Sequence, residues 1–143
     1  TFVHLLNNSV DHGSESSDER VSKGKPAQGL IRFICDADGP NLKIRVCDDR
    51  GGIDQAGLRK ALLKTRPAAE IPASGPELMD LIFEDRVSSR EEATEISGHG
   101  VGMAAVRASL RAAGGDIRIV SSGPSGTEFE ITVPQIKALA KSA

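Results

Sequence analysis

At 143 residues, with 38% apolar and 27% charged residues and a net charge of −2, the chain has the size of one domain with its own core. It carries no bulk field for nucleic acid or an anionic membrane. Tryptophan and tyrosine are absent and only four phenylalanines occur, which argues against base-stacking platforms and sugar-binding clefts. No secretory leader and no apolar run of membrane length is visible, so direct membrane insertion is not expected. Cys35 and Cys47 fall in neighbouring predicted strands. A turn near Asp38-Gly39 would pair Cys35 with about position 42 rather than with Cys47. Free, half-buried thiols of a reducing cytoplasm are therefore expected. The abrupt start inside an apolar pattern suggests a domain cut from a longer protein.

In chain order, residues 2–12 are predicted helical, with Phe2, Leu5, Leu6 and Val10 as the apolar side. His4, Asn8 and the pair Asp11/His12 recur at helical spacing and form a polar stripe. Such stripes are common on solvent-facing helices. Asn8, however, costs helix propensity and offers a neutral oxygen suited to a hard cation such as Mg²⁺. Residues 13–29 are polar and loop-like, with a helical turn expected around Ser17-Asp18-Glu19-Arg20. Leu30–Cys35 and the strictly alternating Leu42–Val46 flank Asp38-Gly39-Pro40 and predict a hairpin. Its second strand runs into Asp48-Asp49-Arg50-Gly51-Gly52-Ile53-Asp54. This is a plain turn or a carboxylate beside a flat ligand, with glycines letting the backbone come close. Asp54 is placed to cap a helix over 55–64.

Thr65–Gly75 is expected to be an exposed loop, and Pro76 to start a short helix carrying Leu78, Met79, Leu81, Ile82 and Phe83. The charged stretch Glu84–Ile96 reads as a lid ahead of Ser97-Gly98-His99-Gly100-Val101-Gly102-Met103. There, glycines at alternate positions leave backbone N–H groups open. The apolar spacing of Met103, Val106, Leu110 and Ala113 predicts a helix directly behind them. A glycine loop at a helix N-terminus suits phosphate oxygens, although glycine-rich loops are also met as plain turns. No lysine follows Gly102, which excludes a Walker loop, and the charged run before Gly98 excludes a dinucleotide fingerprint. Gly114-Gly115 should end the helix. Asp116–Ser121 and Thr127–Val133 then form a second hairpin across Gly123–Gly126. Residues 1–134 make the domain and 135–143 a tail or linker.

Together these stretches resemble the ATP-binding domain of the histidine kinase, gyrase, heat-shock chaperone and mismatch-repair ATPase superfamily, and most of all its chemotaxis-type histidine kinases. His4-Leu-Leu-Asn-Asn8-Ser-Val-Asp11-His12-Gly13 matches the asparagine box. Glu19-Arg20 through Gly24-Lys25-Pro26 matches the segment after it in the chemotaxis branch. Asp48-x-x-x-Gly52 matches the first glycine box, Leu81-Ile82-Phe83 leads into the phenylalanine box, Ser97–Met103 is the second glycine box, and Gly126-Thr127-x-Phe129 the last. The resemblance implies a two-layer α/β sandwich, a mixed sheet covered on one face by helices, with ATP under a lid.

It further implies that Asp48 accepts the adenine amino hydrogen, Asn8 binds Mg²⁺, and Gly98, Gly100 and Gly102 offer N–H groups to the phosphates. Thr127 helps to hold the base, and Asp11, His12, Gly52, Ile53, Phe83, Ser97, His99, Val101 and Met103 line the nucleotide. His4 and Asn8 are the implied catalytic residues: His4 stands where hydrolysing relatives carry a water-activating glutamate, and a weak base there fits phosphoryl transfer better than hydrolysis. The implied function is transfer of the γ-phosphoryl group of Mg–ATP to a histidine on a separate phosphotransfer domain, in a cytoplasmic two-component system. Receptor or coupling proteins and a response regulator would be the partners, nucleic acid would not, and the longer protein would dimerise through another domain.

Some positions depart from the family pattern. Arginine occupies position 50, where a glycine is usual, and the middle glycine is displaced to Gly51. Either Arg50 is strained or Gly51 takes the turn. The lid entry reads Asp85-Arg86-Val87-Ser88-Ser89, and Asn7 and Ala104 replace a frequent arginine and acid. A degenerate nucleotide-binding scaffold with weak or no kinase activity is the competing expectation, and a serine kinase of the same superfamily a third.

Overall fold

The computed structural model describes residues 15–84 and 103–135. The predicted helix over 2–12, the second glycine box through Gly102, the altered lid entry and the tail from position 136 lie outside the described residues.

The first described element, α1, is Ser17–Ser22, capped by Ser16. Ser16 Oγ accepts from Glu19 N–H while Glu19 Oε2 accepts from Ser16 N–H, so a capping box starts the expected helical turn. Strands β1 (Ile31–Asp38) and β2 (Asn41–Asp48) follow as a hairpin. Then come α2 (Gln55–Leu62), a 3-10 turn at Ala68–Glu70, α3 (Pro76–Asp80) with a 3-10 turn at Leu81–Phe83, and α4 (Met103–Ala112). The hairpin of β3 (Asp116–Gly123) and β4 (Gly126–Pro134) completes the described chain. The four strands form one sheet in the order β1-β2-β4-β3, and each pairing is antiparallel. No parallel pairing occurs among the described residues, so the mixed sheet expected from the resemblance is here an antiparallel one with helices packed on it.

Alternation along β2 and β4 decides which face the helices cover. Ile44 and Val46 of β2, Ile117 of β3 and Phe129 and Ile131 of β4 are buried together with Phe83, Met103, Val106 and Leu110. Lys43 and Arg45, on the opposite face, pair with Asp38 and Asp36 of β1. The predicted apolar face of α4 is therefore the packed face, except that Ala113 lies beyond the helix end and is exposed. There Gly115 N–H closes the helix on Leu110 C=O at 2.8 Å. A second core joins Leu58 and Leu62 of α2 to Ile71 and Leu78. Ile71 is 5% exposed, so the Pro- and Ala-rich stretch is a loop pinned by one buried apolar residue, not a wholly exposed one.

The first hairpin is longer than the apolar pattern indicates, because β1 continues through Asp36, Ala37 and Asp38. Its two-residue turn falls on Gly39-Pro40, which pairs Cys35 with Ile44 and Ala37 with Leu42. The register is thus shifted by two residues from the expected one, and Cys47 faces Arg32. Both thiols are free, Cys35 exposed and Cys47 half-buried. Burial, seconded by the nearby Glu128 carboxylate, pushes the Cys47 thiol up.

Candidate functional site

One end of the sheet gathers the polar residues. Asp48 closes β2, Thr127 opens β4 and Ser122 stands near the end of β3. Cys47 pairs with Glu128 and Ser122 with Thr127, so the three side chains form a row across the sheet on the helix-covered face, one step past Val46 and Phe129. Asp48 Oδ1 accepts from Thr127 N–H at 3.2 Å and from Arg50 N–H at 3.0 Å. Asp48 Oδ2 accepts no hydrogen bond among the described residues. Oδ1 alone fastens the carboxylate both to the start of β4 and to the turn that follows β2.

The hydroxyls behind it are linked as well. Ser122 Oγ accepts from Ile53 N–H at 2.8 Å and lies 3.1 Å from Thr127 Oγ1. Thr127 is 6% exposed. Gly52 and Ile53 are thereby drawn against the β3–β4 turn. The approach is so close that a Cβ on Gly52 would stand 2.5 Å from Gly123 O, and Gly52 has φ +80°. A Cβ on Gly126 would stand 1.8 Å from Asp48 O. These glycines are required by close contact with backbone elsewhere in the chain. The left-handed conformation of the turn belongs to Gly52, and Gly51 does not share it. A Cβ on Gly51 would meet only Glu15 Oε1, at an ordinary 3.8 Å. Gly51 has therefore not taken the turn over. Asp54 caps α2 as predicted, accepting from Gly57 N–H at 2.9 Å.

A second set of residues holds this turn from outside, and composition and spacing did not reveal it. Arg20, 3% exposed, reaches Asp49 with both terminal nitrogens, at 3.1 and 2.8 Å. Its remaining donors go to Pro26 C=O, Gln28 C=O and Glu15 Oε2. Asp49 Oδ1 also accepts from Leu30 N–H at 3.0 Å. Lys25 Nζ donates to the carbonyls of Asp49 and Arg50, at 3.0 and 3.2 Å, and pairs with Glu15 at 3.2 Å. The Arg20 guanidinium holds the Asp49 carboxyl below its ordinary value, and Asp49 in turn raises Arg20. The only signal for this set in the sequence was the resemblance of Glu19-Arg20 and Gly24-Lys25-Pro26 to the chemotaxis branch, which assigned no role.

Of the expected nucleotide-lining residues, the fold brings together Asp48, Gly52, Ile53 and Thr127. Phe83 and Met103 sit instead in the main core, 6% and 8% exposed, beside Val46 and Phe129. The Arg107 guanidinium lies 5.0 Å from the Phe83 ring centre, a cation–π contact. Phe83 also lines a cavity of about 520 Å³ with Arg66, Glu84, Ala104, Arg107, Ala108 and Arg111, which shares no lining residue with the Asp48 row. His4, Asn8, Asp11 and His12, and Ser97, Gly98, His99, Gly100, Val101 and Gly102, lie outside the described residues. No cluster of His, Cys, Asp and Glu that could hold a metal occurs among the described residues. None of their helices is long and apolar enough to cross a membrane.

The model of the histidine kinase-, DNA gyrase B- and HSP90-like ATPase family matches residues 1–137. The gliding motility regulatory protein of Myxococcus xanthus is 42% identical over 98% of this chain, which spans 18% of that protein. The chemotaxis protein CheA of Rhizobium meliloti is 36% identical over 93% of this chain, again 18% of the relative. CheA of Halobacterium salinarum is 36% identical over 98% of this chain and 21% of its own length. The catalytic domain of the histidine kinase ThkA superposes with a TM-score of 0.50 at 16% identity, over 92% of this chain and 64% of that one, a likeness of fold alone. The chain therefore belongs to the histidine kinase-, DNA gyrase B- and HSP90-like ATPase family, and its curated relatives place it beside the chemotaxis-type histidine kinases.

Proposed function

We propose that this domain binds Mg–ATP and passes its γ-phosphoryl group to a histidine on a separate phosphotransfer domain, within a chemotaxis-like two-component system. The observation that carries the reading is the Asp48 carboxylate, tied down by Oδ1 and with Oδ2 accepting from no donor among the described residues, between glycines that keep the strand ends close. Such a fixed acceptor fits the exocyclic amino group of adenine, and it meets an oxygen instead in a 6-oxopurine. Thr127 N–H and Arg50 N–H keep it in place. Bound Mg–ATP supplies an activated phosphoryl group whose charge the metal partly neutralises.

The protein's share is then orientation of the base end, with phosphate and metal contacts assigned to Gly98, Gly100, Gly102 and Asn8 by resemblance. In the transfer the bond from the γ-phosphorus to the bridging oxygen breaks, ADP leaves with that electron pair, and a nitrogen of the acceptor imidazole forms the new bond. His4 is assigned no proton abstraction, since a neutral imidazole acceptor brings its own lone pair. A receptor or coupling protein, a response regulator and dimerisation through another part of a longer protein complete the proposal.

The test is titration of ATP into folded wild type and Asp48→Asn by calorimetry, followed by transfer from γ-labelled ATP to an isolated phosphotransfer domain of a chemotaxis-type kinase. Asp48→Asn should lose about 1.5–3 kcal/mol of binding. Unchanged affinity in a folded mutant would overturn the base assignment. Tight binding without any transfer would favour a nucleotide-holding scaffold.

A further inference from the structure

We infer that Arg20 and Lys25 are positioning residues of base recognition: they clamp the Asp49-Arg50 turn and thereby aim the neighbouring Asp48 carboxylate. The inference rests on the reading of Asp48 as the acceptor of the adenine amino group. Consecutive residues at a strand end point their side chains in opposite directions. Asp48 faces the row with Thr127, and Asp49 faces the segment of residues 15–30. Fixing Asp49 from that side leaves the peptide between them little freedom, and it fixes the direction of Asp48.

The clamp has no loose member. Arg20 donates to both Asp49 oxygens, to two backbone carbonyls and to Glu15. Lys25 holds the next two carbonyls, those of Asp49 and Arg50. Arg50 N–H in turn donates to Asp48 Oδ1 at 3.0 Å, so the held turn also supplies one of the two donors on the recognising carboxylate. A guanidinium 3% exposed is costly to bury, and a buried ion pair is a weak source of net stability. Its planar, two-pronged grip on a carboxylate sets geometry, which an ammonium cannot reproduce. A recognition group must be held to within about 0.5 Å and 10–20° to discriminate. Both side chains constrain the turn from outside the sheet.

Loosening the clamp should therefore cost discrimination, not binding in general. The probe pair is ATP and inosine triphosphate, which carries an oxygen where adenine carries the amino group. The chain is titrated with each, as wild type, Arg20→Lys, Lys25→Met and Asp48→Asn, with the fold of every variant checked by circular dichroism. Arg20→Lys keeps the charge and loses the bidentate grip, and Lys25→Met keeps the apolar stem and loses the ammonium.

The expected result is a fall of about tenfold in the ATP-over-inosine triphosphate preference for Arg20→Lys, equivalent to about 1.4 kcal/mol. Lys25→Met should show a smaller fall of the same kind, and affinity for inosine triphosphate should stay within about twofold of wild type. If both nucleotides weaken equally, or neither does, in the folded variants, Arg20 and Lys25 are structural only and the inference is overturned. Lys25→Met alone decides it if Arg20→Lys does not fold. If Asp48→Asn leaves the preference unchanged, the assignment of Asp48 itself has failed, an outcome distinct from Asp48→Asn abolishing the preference while the clamp variants keep it.

Discussion

At the scale of single residues, the proposed base site depends on atoms that are missing as much as on atoms that are present. Gly126 lets the start of β4 lie against the Asp48 carbonyl, where a Cβ would stand 1.8 Å away with φ +131°. Alanine there must push two strands apart and adopt a strained backbone. The expected cost is about 2–4 kcal/mol, with loss of ATP binding. Gly51, in contrast, has ordinary space and no left-handed φ, so Gly51→Ala should change stability by less than about 0.5 kcal/mol. Urea unfolding of the two variants, followed by ATP titration, checks both outcomes. Equal effects would mean that the glycines of this turn are not distinguished by contact.

At the scale of elements, α4 is fastened to the sheet by charge as well as by its apolar face. Arg107 reaches Asp116 at the head of β3 at 2.9 Å and Asp80 at the end of α3 at 3.3 Å, and Arg111 adds a second contact to Asp116 at 3.2 Å. Burial works to raise the Asp116 carboxyl, but hydrogen bonds from Arg107, Arg111 and Ile117 N–H outweigh it and bring the value down to about 2 from 3.8. A folded-state value below the unfolded one stabilises the fold above the unfolded value, and this contribution is lost as pH falls through about 4 towards 2. The side chain is 47% exposed, so solvent screening limits the contribution to about 1 kcal/mol. Asp116→Asn should thus be less stable than wild type at neutral pH by about that amount, and the difference should close near pH 2. Parallel thermal melts across that range measure it. A constant gap would show that the ion pairs are not its source.

At the scale of the whole molecule, the proposed base site joins three parts of the chain: the segment over 15–30, the β2 end with its glycine turn, and the β3–β4 hairpin. Ile53 belongs both to the site, through Ser122, and to the core of α2 and α3. Ligand binding should therefore stabilise the domain as one unit. With nucleotide at about a hundred times its Kd, linkage supplies about 2.7 kcal/mol, which for a domain of this size raises the Tm by roughly 5–12 °C. Differential scanning calorimetry with Mg–ATP, and with ATP in a chelator, reads both the shift and its dependence on metal. Asn8→Ala should reduce the first shift much more than the second, because its amide oxygen is assigned to the metal and not to the base. Equal reductions would make Asn8 structural.

Periodicity sufficed for the elements themselves, since burial on α4, β2 and β4 follows the 3.6 and 2.0 repeats of their apolar residues. The capped start of α2 was legible for the same local reason: Asp54 acts on an N–H group three residues away. Asp48 and Thr127 were marked through motif resemblance, and the antiparallel pairing of β2 with β4 makes them neighbours 79 positions apart. Local pattern could not supply the two-residue shift of the first hairpin, because β1 ends in Asp36, Ala37 and Asp38, which carry no strand signal and are held by backbone pairing and by the ion pairs of Asp36 and Asp38 with Arg45 and Lys43. Nor could it supply the clamp. Arg20 and Asp49 are ordinary surface residue types 29 positions apart, and only the packing of residues 15–30 over the end of β2 buries one against the other. What repeats along the chain was determined by the sequence. What depends on two distant segments arriving at the same place, with their charges matched, was decided by the tertiary structure.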